Sequence, residues 1–232
     1  MDADPTAPIP SMTFPALHAG HCSLSSFACV VADPPWDLKM GKSRTMNGQV
    51  KRGKWNDPAQ ANEEIADLAY PTMSVEEIAA LKVPAADDAH LYIWTINKYI
   101  EETYAIARAW GFEPSTMLYW LKQPMGLGLG GAFVPCVEPI LFCRRGKLPT
   151  KRRMDRNWWG WPRGRHSAKP EEFQSIVEQV SPGPYLEMFA RRKRHGWHSW
   201  GNEITPDVEI QSPENVKNQA REPQAPNTTA AP

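Results

Sequence analysis

Short apolar runs separated by segments of helical period fill the middle of this 232-residue chain, and few folds accommodate that alternation. FACVVA (27–32) and HLYIW (90–94) are short, β-branched or aromatic, and bounded by turn or polar residues, as expected of central strands. STMLYWLK (115–122), VEPILFC (137–143), YLEMFA (185–190) and a last piece from Trp197 to Ile204 read as further strands. In NKYIEETYAIARAWG (97–111), Ile100, Tyr104, Ala107 and Trp110 recur at helical spacing, and Gly111 stands where a left-handed residue closes a helix. Ser74-Val75-Glu76-Glu77 has the form of a capping box and opens a shorter helix through Ile78 and Leu81. Pro170 suits a first helical position, with Phe173, Ile176, Val177 and Val180 following on one face. The pattern predicts an α/β domain with a Rossmann-like sheet and helices on both faces. Ligands of such sheets sit beyond the carboxyl ends of strands.

Residues 1–12 and 205–232 are polar or proline-broken and without period, so the domain is expected over 13–204 with a disordered tail at each end. Lys plus Arg and Asp plus Glu are both 26, and the zero net charge excludes any inference about partners from the total. Electrostatic reasoning must be local. Cys22, Cys29, Cys136 and Cys143 form no C-x-x-C pair, which suggests reduced, structural thiols. The start, MDADPTAPIP, lacks the basic and apolar regions of a signal peptide, and no long apolar run follows. A soluble protein in a cytoplasm-like compartment, without membrane partners, is expected.

The run VVA (30–32) stops at Asp33-Pro34-Pro35-Trp36, and two prolines can simply end a strand. They also hold their carbonyls in fixed directions, because Pro34 has a locked φ and Pro35 drives Pro34 to extended geometry. Asp33 then becomes a fixed acceptor beside fixed carbonyl acceptors, next to the flat face of Trp36. A planar amine such as adenine could donate one hydrogen to Asp33 and one to the Pro34 carbonyl while stacking on Trp36. Two acceptors pulling on the N–H bonds would aim the nitrogen lone pair out of the ring plane, as methyl transfer from a sulfonium requires.

DPPW, with YPTMS (70–74), LYIWTINKY (91–99), HSAKPEE (166–172) and YLEMFARRKRHGWHSWGNE (185–203), resembles the DPPW-type adenine-N6 methyltransferases. This family includes the catalytic subunit of the eukaryotic mRNA adenosine methyltransferase and many smaller bacterial and phage enzymes. The resemblance spans about Cys22 to Ile204 in the family's order. It implies a Rossmann-like class I S-adenosylmethionine methyltransferase fold in permuted order, with the DPPW motif early and the cofactor motif late. It further implies that Asp33, Pro34, Pro35 and Trp36 are catalytic, that the base binds near Trp36 and Tyr70, and that Asp33 lies between base and cofactor. Lys169 matches a lysine that reaches the methionine portion of the cofactor, and Glu187 a carboxylate that holds its ribose. Arg191 and Asn202 match further cofactor contacts, Glu203 stands where relatives carry Gln or Glu, and Phe189 and Trp200 fit as packing residues near the pocket. A bacterial cell or a phage-infected host is the implied setting.

GLGLGG (126–131) lacks the strand–turn–helix context of a phosphate loop and reads as a connector or a loop over substrate. Residues 144–165, RRGKLPTKRRMDRNWWGWPRGR, hold nine Lys or Arg, one acid and three tryptophans. The stretch reads as a basic loop in which Arg152, Arg153, Arg156, Arg163 and Arg165 suit a nucleic-acid backbone, with indoles as stacking faces or as packing anchors that hold the loop down. Lys51, Arg52 and Lys54 form a second candidate surface inside a long connection, residues 37–69, whose role its sequence does not reveal. His18, His21 and Cys22 show no fourth ligand, so no metal is expected. His195 and His198 read as exposed or packing residues. The resulting expectation is S-adenosylmethionine-dependent methylation of adenine N6 in DNA. RNA is the alternative substrate, and a non-catalytic nucleic-acid-binding subunit is the alternative of another class.

Overall fold

A computed structural model describes residues 26–37, 72–123, 133, 135–164 and 168–211. Seven strands form a single sheet: β1 (Phe27–Ala32), β2 (Ala85–Trp94), β3 (Glu113–Gln123), β4 (Val137–Arg145), β5 (Trp158–Pro162), β6 (Tyr185–Met188) and β7 (Trp197–Trp200). Their order is β5-β3-β4-β2-β1-β6-β7. β4 runs against both β2 and β3, and every other pairing is parallel. The carboxyl ends of β1, β2, β3, β5, β6 and β7 therefore share one edge with the start of β4. The chain leaves β1 for β2 on one side and returns to β6 on the other, so the crevice beyond β1 and β6 is the topological switch point. The α/β, Rossmann-like class is as the sequence predicts.

Helices α1 (Val75–Ala79) and α2 (Ile100–Ala109) cover one face of the sheet, and α3 (Glu171–Val180) covers the other. Period two along the strands divides the core. Val30, Leu91 and Cys143, paired across the strands, join Ile78, Ile106 and Trp110 on the first face. Val31, Tyr92 and Phe142 join Phe173 and Val177 on the second. A large apolar side chain withdrawn from water in this way contributes about 1.5–3 kcal/mol. β1, with neighbours on both edges, is almost wholly buried.

Local chemistry sets the helix ends. Ser74 Oγ accepts from Glu77 N at 3.1 Å, and Glu77 Oε2 accepts from Ser74 N at 2.7 Å, so both halves of the capping box are present. Gly111 takes φ 79° after α2. Pro170, expected as the first helical residue, is instead the N-cap with ψ 133°, since a locked φ near −65° suits either position. β6 ends at Met188 and not at Ala190, because Phe189 turns to φ 63°. β7 likewise stops at Trp200, short of Ile204.

Two expectations change more substantially. Trp158–Pro162, assigned to a basic loop, is the edge strand β5, paired with β3 from Tyr119 to Gln123. Residues 205–211, assigned to the tail, pack onto the domain. Ile210 is 3% exposed, Asp207 Oδ2 accepts from Ser199 N at 3.0 Å, and Gln211 O accepts from Lys82 N at 3.3 Å. Val208, which also packs against the core, and Ile210 are two apolar residues in an otherwise polar segment, too few to carry a periodic signal of that burial. The segments 1–12 and 212–232, the 38–71 stretch, His18, His21, Cys22 and GLGLGG lie outside the described residues. Among the described residues, no helix is long and apolar enough to cross a membrane and no group of acids, His or Cys could hold a metal.

Candidate active site

The Asp33–Trp36 turn leaves the carboxyl end of β1 and is held by its own backbone. Trp36 N donates to Pro34 O at 2.9 Å, and Met73 N donates to Pro35 O at 3.0 Å. Tyr99 Oη donates to Asp37 O at 2.6 Å. With φ locked at both prolines, the carbonyl directions are fixed at both ends. The Pro34 oxygen already accepts one N–H, and its second lone pair is the acceptor that remains.

Trp36 departs from the expected open stacking face. It is 6% exposed, its ring stacks on Tyr99 at 5.0 Å and 19°, and its Nε1 donates to Trp94 O at 3.1 Å. An indole carries about 150–250 Å² of apolar surface, and here the core takes up most of it. Its place is beneath the turn.

Asp33 meets a chain of alternating charges. Lys169 Nζ lies 2.9 Å from Asp33 Oδ1 and 3.4 Å from Glu138 Oε2, and Glu138 also pairs with Lys122. The four come from the ends of β1, β3 and β4 and from the residue before the α3 N-cap. Lys169 Nζ also sits 5.3 Å from the centre of the Trp94 ring, a cation over an aromatic face. Burial works against the Lys169 ammonium, but Asp33 and then Glu138 outweigh it and hold it above the usual lysine range. Sequence reasoning missed Glu138, Lys122 and Trp94. An acid inside VEPILFC is the same signal that drew attention to Glu187 inside YLEMFA, so Glu138 was findable.

Glu187 pairs in register with Val31, two residues before Asp33, and so shares the face of Asp33 across the switch point. Burial pushes its carboxyl up to about 7, against the pull of the Gln174 bond, and Asp33 adds to the rise. Gln174 Nε2 donates to Glu187 Oε2 at 2.6 Å. Gln174 is 6% exposed on the inner stripe of α3 beside Phe173 and Val177, a place where sequence alone predicts an apolar residue. One amide leaves a carboxylate with capacity for further donors, and a vicinal diol would supply two.

The loops after β6 and β7 meet beside Glu187. Ala190 N donates to Trp200 O at 2.9 Å, and a Cβ on Gly201 would fall 2.1 Å from Ala190 O, so only glycine permits the approach. Phe189 packs edge-on against Trp200 at 5.3 Å, in a backbone conformation that few bulky residues adopt. Arg191 and Glu203 pair at 3.5 Å, and Arg191, Asn202 and Glu203 are all exposed in these loops.

The basic stretch is only partly available. Arg156 forms two 3.0 Å bonds with Asp155, and Arg152 donates to Gln179 at 3.3 Å. Arg153 and Arg163 are exposed. Arg165, Tyr70, Lys51, Arg52 and Lys54 lie outside the described residues. His195 is exposed, while His198 packs on Phe27 at 5.2 Å.

Comparison with known proteins gives a consistent set of matches. The MT-A70 family model matches residues 27–127 and 142–203. The chain is 32% identical over 193 residues to the type II methyltransferase M.MunI of Mycoplasma sp., a match covering 81% of each chain. It is 29% identical over 193 residues to an N(6)-adenosine-methyltransferase MT-A70-like protein of Drosophila melanogaster, covering 78% of this chain and 27% of that one. It is 24% identical over 201 residues to the human N(6)-adenosine-methyltransferase catalytic subunit METTL3, covering 78% and 29%. The chain thus spans less than a third of the length of these two animal relatives.

Proposed function

Because the chain belongs to the MT-A70 family, we propose that it is an S-adenosylmethionine-dependent methyltransferase acting on the N6 amine of adenine in DNA. The observation that carries this reading is the convergence of Asp33, Lys169 and Glu187 on one face at the switch point. DNA is favoured because the match to the type II methyltransferase covers 81% of both chains. RNA is the second reading, supported by the relatives named for adenosine methylation.

The residues fit the cofactor. Glu187, oriented by Gln174, has carboxylate capacity for ribose hydroxyls, and Lys169 is a cation for the carboxylate of the methionine portion. Arg191, Asn202 and Glu203 lie in the loops after β6 and β7 as further contacts for the cofactor, with Phe189 and Trp200 packed together beside them. When bound, the cofactor supplies a sulfonium methyl group, which passes to the amine nitrogen and leaves the bonding pair on sulfur. Asp33 accepts one amine N–H and the free lone pair of the Pro34 carbonyl accepts the other, so the nitrogen lone pair points out of the ring plane. The proton displaced from nitrogen leaves through Asp33 to water. Pro35 and Trp36 keep these acceptors in place, while Glu138 and Lys122 fix Lys169.

Labelled S-adenosylmethionine incubated with duplex DNA, single-stranded DNA and RNA tests the assignment, and label in N6-methyladenine of DNA is the expected result. Label in RNA alone would transfer the assignment to the second reading. Cofactor binding without transfer to any of the three would indicate a binding subunit.

Glu187 predicts how cofactor affinity varies with pH. In the free protein the carboxyl holds its proton up to about pH 7, whereas ribose hydroxyls donate to the ionised form, so binding must expel the proton. Affinity should therefore rise by up to about tenfold per pH unit below pH 7 and level off above it. The free protein shows the opposite trend in stability. Its folded pKa lies above the ordinary 4.5, so the contribution of this group is present below pH 4.5 and lost as pH rises to about 7. Titration calorimetry from pH 5.5 to 8.5 should find the affinity slope in the parent and a flat profile in Glu187→Gln. Parallel profiles would remove Glu187 from the ribose site.

A further inference from the structure

The tryptophans of β5 have no role in the chemistry described above. β5 is an edge strand, and Trp159 and Trp161 project from the face that also carries Asp33, Glu138 and Lys122. Their rings are parallel, with centroids 5.7 Å apart and an interplanar angle of 1°, and both are half-buried. On the neighbouring strand Trp120 is 3% exposed and aligned with Trp159, its Nε1 donates to Trp161 O at 3.0 Å, and Trp161 packs against the core cluster that includes it. A buried indole thus anchors the strand that carries two partly open ones. Trp161 is aligned with Lys122, which pairs with Glu138, which in turn pairs with Lys169 at Asp33. That chain of ion pairs links the row of indoles to Asp33 across four strand spacings, about 19 Å, at the shared carboxyl edge.

Charge lies at both ends of the row. Arg163 N bonds to Gln123 O at 3.0 Å, which extends the β5 pairing and keeps this exposed arginine at the carboxyl edge. Arg152 and Arg153 are exposed shortly before the strand. Among the described residues β5 pairs with β3 alone, and an aromatic edge strand of this kind invites a covering partner. Cations flanking parallel π-faces suit one partner chemistry, nucleobases on a phosphate backbone.

We propose that Trp159 and Trp161 are a stacking track for unpaired nucleobases that flank the target adenine in the same strand, with Arg153 and Arg163 on the neighbouring phosphates. The track deepens the methyltransferase assignment and rests on it. It places the flanking strand along β5 while the target base occupies the site at Asp33. Stacking tolerates any base, so the track contributes affinity and orientation, and sequence choice lies elsewhere.

The test uses the full chain and a 12-nucleotide single strand with one adenine, as DNA and as RNA, each with either normal bases or abasic sites on both sides of the adenine. Fluorescence anisotropy gives the dissociation constant, and methyl transfer is followed on the same strands. The parent should bind the abasic strand about 5- to 100-fold more weakly than the intact one. Trp159→Leu should lose affinity for the intact strand by a similar factor and become indifferent to the abasic sites, while Trp159→Phe keeps most of both effects. A parent that binds intact and abasic strands equally, or neither, overturns the track, as does a Trp159→Leu chain that binds like the parent. A shift in sedimentation of Trp159→Leu with strand affinity unchanged would instead make β5 a contact between copies of the chain. Abasic-sensitive binding without methyl transfer would retain the track and reject the reaction. Transfer without abasic sensitivity would do the reverse.

Discussion

Asp33→Ala should abolish methyl transfer, with a loss of at least about 1,000-fold at saturating substrate, and leave the domain folded. Removing a preorganised partner of the reacting group costs roughly 100- to 1,000-fold in other enzymes. In the proposed reaction the same side chain also receives the departing proton. The fold should survive because Lys169 keeps Glu138 as its counter-ion, so the truncation strands no charge completely. Asp33→Asn is the sharper variant, since it preserves shape and one acceptor oxygen while removing the charge. It should retain cofactor binding and lose about 100-fold or more in rate. Single-turnover transfer of labelled methyl, with a thermal unfolding scan of each variant, makes the measurement. A rate within a factor of two of the parent would remove Asp33 from the reaction.

The second large effect is on stability. Trp36→Ala should cost about 3–5 kcal/mol, the range for deleting a buried aromatic side chain. In a chain of this size that lowers the melting temperature by roughly 10 °C. The sequence suggested a platform for the base, whose loss would weaken substrate binding and leave the melting temperature almost unchanged. The structure makes the opposite prediction, because the indole is stacked on Tyr99 and bonded to the Trp94 carbonyl. Trp36→Phe should recover part of the stability, since stacking on Tyr99 persists while the Nε1 bond is lost. A melting temperature within a degree of the parent, together with a raised substrate KM, would restore the exposed role.

These two residues show where reading the sequence succeeds and where it stops. Asp33 was legible because an acid after a buried strand, followed by two prolines, is constrained by covalent geometry that operates over a few bonds. The capping box at Ser74 and the glycine at 111 were legible for the same reason. Trp36 was not, since the side on which an indole is covered depends on Tyr99 and Trp94, which lie some sixty residues away in the chain. WWGWP illustrates a related difficulty. Surrounding cations suggested a loop, and only pairing with β3 makes it a strand. Val208 and Ile210 were lost among polar neighbours, although their packing and the bonds of Asp207 and Gln211 were enough to move the edge of the domain.

The sequence by itself determined the α/β class, the central strands, the helix boundaries to within a few residues, and the candidacy of Asp33 and Glu187, because period, caps and isolated charges in apolar runs are local signals, while Lys169 was a candidate only through the resemblance of HSAKPEE to the family's motif. Tertiary structure alone decided the strand order that brings those three together at one switch point. It also decided the Asp33–Lys169–Glu138–Lys122 chain, the Gln174 bond that orients Glu187, and the parallel indoles of β5. Those features depend on which strands become neighbours and on what shields each charge from water, and both are set only when the whole sheet has closed on its helices.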